Sequence, residues 1–350
     1  MNDFENQLSR ETAPPAVIFT RGGRIESLHR AHACIATGEG EVLFALGDPD
    51  YSAFLRSSSK PLQALNAVLT GAVDKYGITP RELAVIAGSH GGESIHIEAV
   101  VSILSKAGLT PDHLQCGIQQ PLDSEMQKTL AEAGEQPTVL HHNCSGKHSG
   151  MLIAAKYLGL SPEDYLNTEH PVQREITGVL ARMAGVEAGE IANGIDGCSA
   201  PVHALPMRAA ARAFARMVQP EGLPSDLKRV SERVVEAMRA HPEMVAASRG
   251  RICTELIRNI SNNKFIAKAG AEGYYAAGWV EPKSGKGIGL AMKIEDGAQR
   301  ARDPLLIALL QRSRILPDEL PPALIPFAAG PILNFKGLIV GDIVVVGVRQ

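Results

Sequence analysis

The chain has 350 residues, 45% hydrophobic and 21% charged, with a formal net charge of −3 at pH 7. This suits a soluble globule with a large core and excludes the strongly basic surface that nucleic acid or an anionic membrane demands. Five cysteines, Cys34, Cys116, Cys144, Cys198 and Cys253, are odd in number and widely spread, so no small disulfide framework is expected and a reducing, cytoplasmic setting is.

Residues 1–14 read as a disordered lead, polar and acidic, with no basic-plus-apolar leader. Val17-Ile18-Phe19, Ala31 to Thr37 and Glu41 to Ala45 read as strands of an opening meander, turning at Arg21-Gly22-Gly23-Arg24 and Gly38-Glu39-Gly40. Lys60 to Leu69 reads as a helix with Pro61 in its first turn. Glu82 to Ala87 suits a short helix or a strand, and Glu93 to Ala107 carries a helical stripe of Ile97, Val100, Val101 and Leu104. Residues 108–142 are turn-rich. Helices are expected over Met151 to Leu158, Pro171 to Ala184, Ala209 to Val218 and Ser225 to Ala240. Strands return at Phe265 to Lys268, Tyr274 to Val280, Ile288 to Ile294 and Leu338 to Val348, with a helix over Pro304 to Arg312. The last apolar run is broken by Gly341 and Asp342 and is too short to span a bilayer. The chain is therefore expected to be one α/β (α+β) unit over 15–350. A mixed antiparallel sheet from about 15–55 and 262–350 would enclose a mainly helical region of about 56–261.

Three short segments carry the chemistry. Asn143-Cys144-Ser145-Gly146-Lys147-His148-Ser149-Gly150 crowds a thiol, an amine, an imidazole and two hydroxyls into eight residues, a mixture that core packing does not explain. Ser57-Ser58-Ser59-Lys60 fits S-x-x-K: on a helix start the two ends share a face, and a neutral lysine can take the serine proton. These two positions equally suit a serine-rich cap with a solvated lysine. Gly88-Ser89-His90-Gly91-Gly92-Glu93 is the third. Enzymes built on S-x-x-K also use a lysine on a late strand. Lys268 follows an apolar strand, whereas Lys283 sits in a charged turn. Cys144 and Lys147, with Cys198 as partner, are candidate ligands for a soft metal such as zinc, and two buried free thiols are the alternative. Neither a phosphate-binding loop nor a dinucleotide fingerprint is present.

Together, Arg56-Ser57-x-x-Lys60-Pro61, Ser89-His90-x-Gly92-Glu93, His142 to His148, Gly194-x-Asp196-Gly197-Cys198 and Lys268-x-Gly270-Ala271-Glu272-Gly273 resemble the rhizobial-type L-asparaginases, also called class 3 or the asparaginase II family. The resemblance runs from about residue 16 to the C-terminus, with every motif in order. It implies a fold like serine β-lactamases and glutaminases, a homodimer, and hydrolysis of L-asparagine to L-aspartate and ammonia. It assigns Ser57 as nucleophile with Lys60, and Ser89 as a second serine with Lys268. It assigns Cys144, Lys147 and Cys198 as ligands of one Zn²⁺ per chain, outside the chemical step. Arg56, His90 and Asp196 would meet the substrate, and the backbone of Ser57 and Ala271 would form an oxyanion hole. Two lysines in one cavity disfavour each other's charge. Lys60 is expected to be the neutral base and Lys268 the charged partner.

Three other readings remain at this point: a penicillin-recognising serine hydrolase, a thiol amidohydrolase using Cys144 with His148 as base, and a zinc-binding protein without catalysis.

Overall fold

The computed structural model describes residues 13–348. The expected lead over 1–14 lies outside them except for its last two residues, and those are ordered. Ala13 is buried, its carbonyl accepts from Arg30 Nη1 at 2.8 Å, and the Pro14 carbonyl accepts from Ala31 N at 3.2 Å.

The opening strands are β1 (Pro15–Arg21), β2 (Arg24–Thr37), β3 (Val42–Leu46) and β4 (Ser52–Phe54). The middle of the chain holds α1 (Lys60–Leu69), α2 (Pro80–Ile86), α3 (Ser94–Lys106), α4 (Ser124–Ala133), α5 (Ser145–Tyr157) and α6 (Pro171–Ala184). Then come β5 (Ala192–Ile195), β6 (Pro201–Pro206), α7 (Met207–Val218), α8 (Ser225–Ala240) and α9 (Ile252–Asn259). The chain closes with β7 (Ile266–Ala269), β8 (Tyr274–Val280), β9 (Gly287–Ile294), α10 (Gln299–Arg312), β10 (Pro331–Leu333) and β11 (Ile339–Val345).

An eight-stranded sheet runs β10-β11-β1-β2-β9-β8-β7, with β3 also paired to β2. Every pairing is antiparallel. Its strands come from the two ends of the chain, as expected of a sheet around an inserted helical region. The closure lies in β2, where Ala31 to Thr37 pair with Ile288 to Ile294. Helix α7 packs on this sheet and buries an alanine-rich face with Phe214 and Met217.

The inserted region is not wholly helical. It contributes β5 and β6 to a second sheet, β4-β6-β5, whose third strand, β4, comes from the opening segment. Its strands are short and its central one reads Pro201-Val202-His203-Ala204, a pattern without clean alternation. Helix α4 occupies part of the turn-rich stretch and begins at Asp123, whose carboxylate accepts from Met126 N at 2.8 Å. Helix α2 resolves the helix-or-strand ambiguity through a capping box between Thr79 and Glu82. Helix α5 starts six residues earlier than expected, because Gly146 and Gly150 pack against α2 rather than breaking the helix. Among the described residues no helix is long and apolar enough to cross a membrane.

Candidate active site

After β4 the chain turns through a 3₁₀ segment, Arg56–Ser59, into α1. Arg56 has φ +50°, a conformation that L-residues avoid, and its side chain is held by Asp196 at 2.7 Å. Of the four non-glycine residues with positive φ among those described, Arg56, Ser199 and Glu272 each flank a candidate site residue. Such strain persists where the surrounding structure enforces it.

Lys60, the first residue of α1, is 1% exposed, and so is Lys268 at the end of β7. Lys60 Nζ lies 2.8 Å from Ser89 Oγ and donates to Asn143 O at 3.1 Å. Lys268 Nζ also lies 2.8 Å from Ser89 Oγ and donates to Ala269 O at 2.9 Å. Both amines thus converge on one hydroxyl. The expected Ser57–Lys60 contact is not formed: Ser57, half-buried, makes no side-chain hydrogen bond among the described residues. The reason is competition, since the Ser89 hydroxyl and the Asn143 carbonyl capture the amine deeper inside.

The Ser89 hydroxyl has two lone pairs and accepts from both amines, and it can pass its own proton only to an amine that has become neutral. Burial drives the Lys268 amine down to about 7, and the nearby charges of Lys60 and Arg251 add to the drop, while Cys253 opposes it. Burial also lowers Lys60, but the Cys144 thiol beside it favours its charge. Burial therefore pushes both amines toward the neutral form.

The end of β7 is clamped onto the Ser57 turn. Ser58 Oγ donates to Lys268 O at 2.7 Å. A Cβ on Gly270 would stand 2.6 Å from the Leu55 carbonyl oxygen, so only glycine permits this approach. Ala271 follows directly, in an exposed turn.

On the other side α5 begins with Cys144 as its N-cap residue. Lys147 Nζ donates to Cys198 Sγ at 3.1 Å, and Cys144 Sγ donates to Asn143 Oδ1 at 3.0 Å. Hydrogen bonding from neighbouring Cys198 leads the forces that hold the Cys144 thiol well below its usual range, and Lys60 and Lys147 assist. Burial works against the Lys147 charge, yet Cys198 and Cys144 outweigh it and push the amine up to about 12. Among the described residues no three His, Cys, Asp or Glu side chains are grouped to hold a metal. The candidate set is two thiols joined by an amine. Soft sulfur ligands with one nitrogen suit zinc chemically, provided the amine gives up its proton. One further buried nitrogen, His148 Nε2, lacks a hydrogen-bond partner, and Cys198 lies beside that ring.

Several histidines take supporting roles. His90, expected to meet substrate, is fully buried: Nε2 engages Ser145 Oγ at 2.9 Å and Nδ1 accepts from Gly92 N at 3.2 Å. It ties the Ser89 loop to α5 and has no free edge. His142 Nδ1 accepts from Cys144 N at 3.0 Å, and burial lowers that imidazole to about 4. His148 Nδ1 pairs with Tyr165 Oη at 2.6 Å rather than with Cys144, so the Cys144–His148 dyad is not formed. Arg251 is a neighbour of the site that spacing did not single out.

The L-asparaginase II family model matches residues 17–345. The sequence matches none of the curated proteins. Among solved structures, a Bacillus glutaminase in 4.3 M NaCl is similar at 13% identity over 81% of this chain and 91% of that one, with a TM-score of 0.40. A β-lactamase from Burkholderia ambifaria is similar at 11% identity over 78% of this chain and 92% of that one, with a TM-score of 0.36.

Proposed function

The chain belongs to the L-asparaginase II family and is an amidohydrolase, and from that premise we propose that it hydrolyses L-asparagine to L-aspartate and ammonia by a covalent serine–lysine route. The observation that carries the mechanism is the buried Lys60–Ser89–Lys268 chain, with 2.8 Å on each side of the hydroxyl. Ser57 is the attacking hydroxyl in this reading, since it is half-buried, unengaged and follows strained Arg56. Substrate binding brings its hydroxyl to Lys60, because catalytic hydrogen bonds often tighten only in the complex. Ser57 Oγ bonds to the carboxamide carbon as its proton passes into the lysine–serine chain. The C–N bond then breaks, and that proton leaves with the nitrogen as ammonia. Water, deprotonated by the same chain, cleaves the ester and releases aspartate. Backbone N–H groups of Ser57 and Ala271 would receive the developing oxyanion. The Asp196 carboxylate, kept low by the Gly197 N–H, Lys147 and Arg56 against the opposing effect of burial, would face the substrate ammonium.

A second reading makes Ser89 the nucleophile, because it is the hydroxyl both lysines already touch. Ammonia release by Ser57→Ala and Ser89→Ala, with mass-spectrometric trapping of the acyl-serine, separates the two. The first reading expects kcat to fall roughly a thousandfold or more in Ser57→Ala and the acyl group on Ser57. An acyl group on Ser89, with Ser57→Ala active, reverses the roles. Nitrocefin hydrolysis by the wild type would revive the penicillin-recognising alternative.

Cys144, Lys147 and Cys198 would hold one Zn²⁺ per chain. Bound there, zinc would supply a fixed positive centre that orders the α5 and Cys198 loops. A cytoplasmic setting is supported by five free, buried cysteines. A homodimer is supported by the family resemblance and is tested by light scattering.

A further inference from the structure

Arg251 stands immediately before α9, at the end of a segment fastened to the Ser89 loop. Ser89 N donates to Val245 O at 2.8 Å, and Ser248 N donates to Glu93 Oε1 at 2.9 Å. The Ser248 hydroxyl donates to the other oxygen of Glu93. Gly250 N donates to Glu255 Oε1 at 3.0 Å, and Arg258 Nη1 donates to Ser248 O at 2.6 Å. The guanidinium is thus carried on a fixed support, as a recognition group requires.

Arg251 lines a groove of about 380 Å³ together with Gly91, Asp123, Arg249 and Gly250. The groove's lining residues are linked through the chain to the catalytic residues on two sides, although Ser57, Lys60, Ser89 and Lys268 do not line it. Gly91 is two residues from Ser89, and Arg251 is two residues from Cys253, whose sulfur accepts from Ala269 N, next to Lys268, at 3.1 Å. Its volume is at the small end of the range, about 300–1,000 Å³, typical of small-molecule sites.

Every other arginine that is not exposed has a hydrogen bond, ion pair or ring contact, but Arg251 has none among the described residues. Of the carboxylates nearby, Glu125 also lines the groove and has no side-chain partner among the described residues, whereas two others are engaged. Asp123 accepts from Met126 N, and Glu93 accepts from Ser248. The other arginine at the site, Arg56, is already paired with Asp196 at 2.7 Å. A partly desolvated guanidinium without a partner is costly, and its planar fork matches a carboxylate bidentately.

We propose that Arg251 binds the α-carboxylate of the amino-acid amide in this groove and is a specificity residue of the enzyme. The proposal rests on the amide-hydrolysis reading above. It sets the substrate class as small amino acids with a side-chain amide, and it makes primary amides lacking an α-carboxylate much less sensitive to Arg251. The same charge falls on Lys268, where it favours the neutral amine.

The test compares wild type, Arg251→Gln, Arg251→Lys and, as a control on the exposed face of α8, Arg229→Gln. Ammonia release is measured from L-asparagine and from 3-aminopropanamide, and L-aspartate binding by titration calorimetry. Measured at pH 9, above the titration of Lys268, Arg251→Gln should raise KM for asparagine roughly tenfold or more and weaken aspartate binding by a similar factor, with a much smaller loss on 3-aminopropanamide. Arg251→Lys should recover part of the loss, and Arg229→Gln should match wild type. Unchanged asparagine KM and aspartate affinity in Arg251→Gln would overturn the proposal, as would equal losses on both amides. If aspartate binds in an Arg251-dependent way but no amide releases ammonia, the carboxylate site stands and the hydrolysis reading fails.

Discussion

At the scale of single residues, the chemistry turns on lysines that the fold has stripped of water. A buried ammonium is disfavoured, so Lys268 titrates near 7 instead of 10.5. The base works only when neutral. Turnover should therefore rise with pH through about 7, as Lys268 loses its proton, and level off above it. The pH profile of kcat/KM between 5.5 and 9 checks this, with chemistry shown to be rate-limiting; a flat profile would contradict it. Lys268→Met should nearly abolish turnover, and any residual activity should lose that rising limb. Lys147 differs because its buried charge has sulfur partners, at 3.1 Å in the case of Cys198. The same kind of side chain is thus tuned in opposite directions by what faces it.

At the scale of elements, the site exists because backbone segments approach more closely than side chains normally allow. Just after β7, Gly270 lets the chain pack directly on the Ser57 turn. Gly270→Ala would put a Cβ 2.6 Å from the Leu55 carbonyl oxygen, and backbone must move to accommodate it. The expected cost is about 1–3 kcal/mol of stability, with a larger effect on rate, roughly a hundredfold, since a 1 Å misplacement of catalytic groups has that consequence. Helix α5 meets α2 through Gly146, where an added Cβ would lie 2.4 Å from the Val85 carbonyl oxygen. Gly146→Ala should also cost about 1–3 kcal/mol and displace Cys144 and Lys147 together. Urea denaturation and ammonia release measure the two effects separately; wild-type values for both variants would show that neither contact constrains the site.

At the scale of the molecule, two halves of a site are carried by different layers. The lysine–serine chain joins α1, the Ser89 loop and the edge strand β7. The thiols lie on α5 and on the loop after β5. His90, bridging to Ser145, couples them. If zinc binds Cys144, Lys147 and Cys198, purified protein prepared without chelator should contain about one zinc per chain by metal analysis, and Cys198→Ser should contain almost none. With nucleophile and base supplied elsewhere, that variant should raise KM more than it lowers kcat. No zinc in the wild type would remove the metal, and a collapse of kcat with KM held would make it catalytic.

What the sequence determined by itself is what short-range physics writes. The S-x-x-K spacing, the dense Asn143-to-Gly150 block and Lys268 at the end of an apolar strand named the chemical groups in chain order. Helical periodicity gave α3, α6 and α8, and apolar runs gave the strands at both ends. For α2 the sequence left helix or strand open, and the capping box between Thr79 and Glu82 decides for helix. Tertiary structure decided who touches whom. Lys60 lies 29 positions from Ser89, and Lys268 lies 179 away from it. Their meeting depends on β2 closing the sheet against β9 and on the crossing of α2 and α5. No local pattern reports those long-range packings. The family resemblance pointed to His90 as a substrate contact, whereas the fold buries it and engages both ring nitrogens, with Ser145 and Gly92. Arg251 had no motif at all. Its significance lies in the absence of a partner, and a partner's absence becomes visible only once every other side chain has its place.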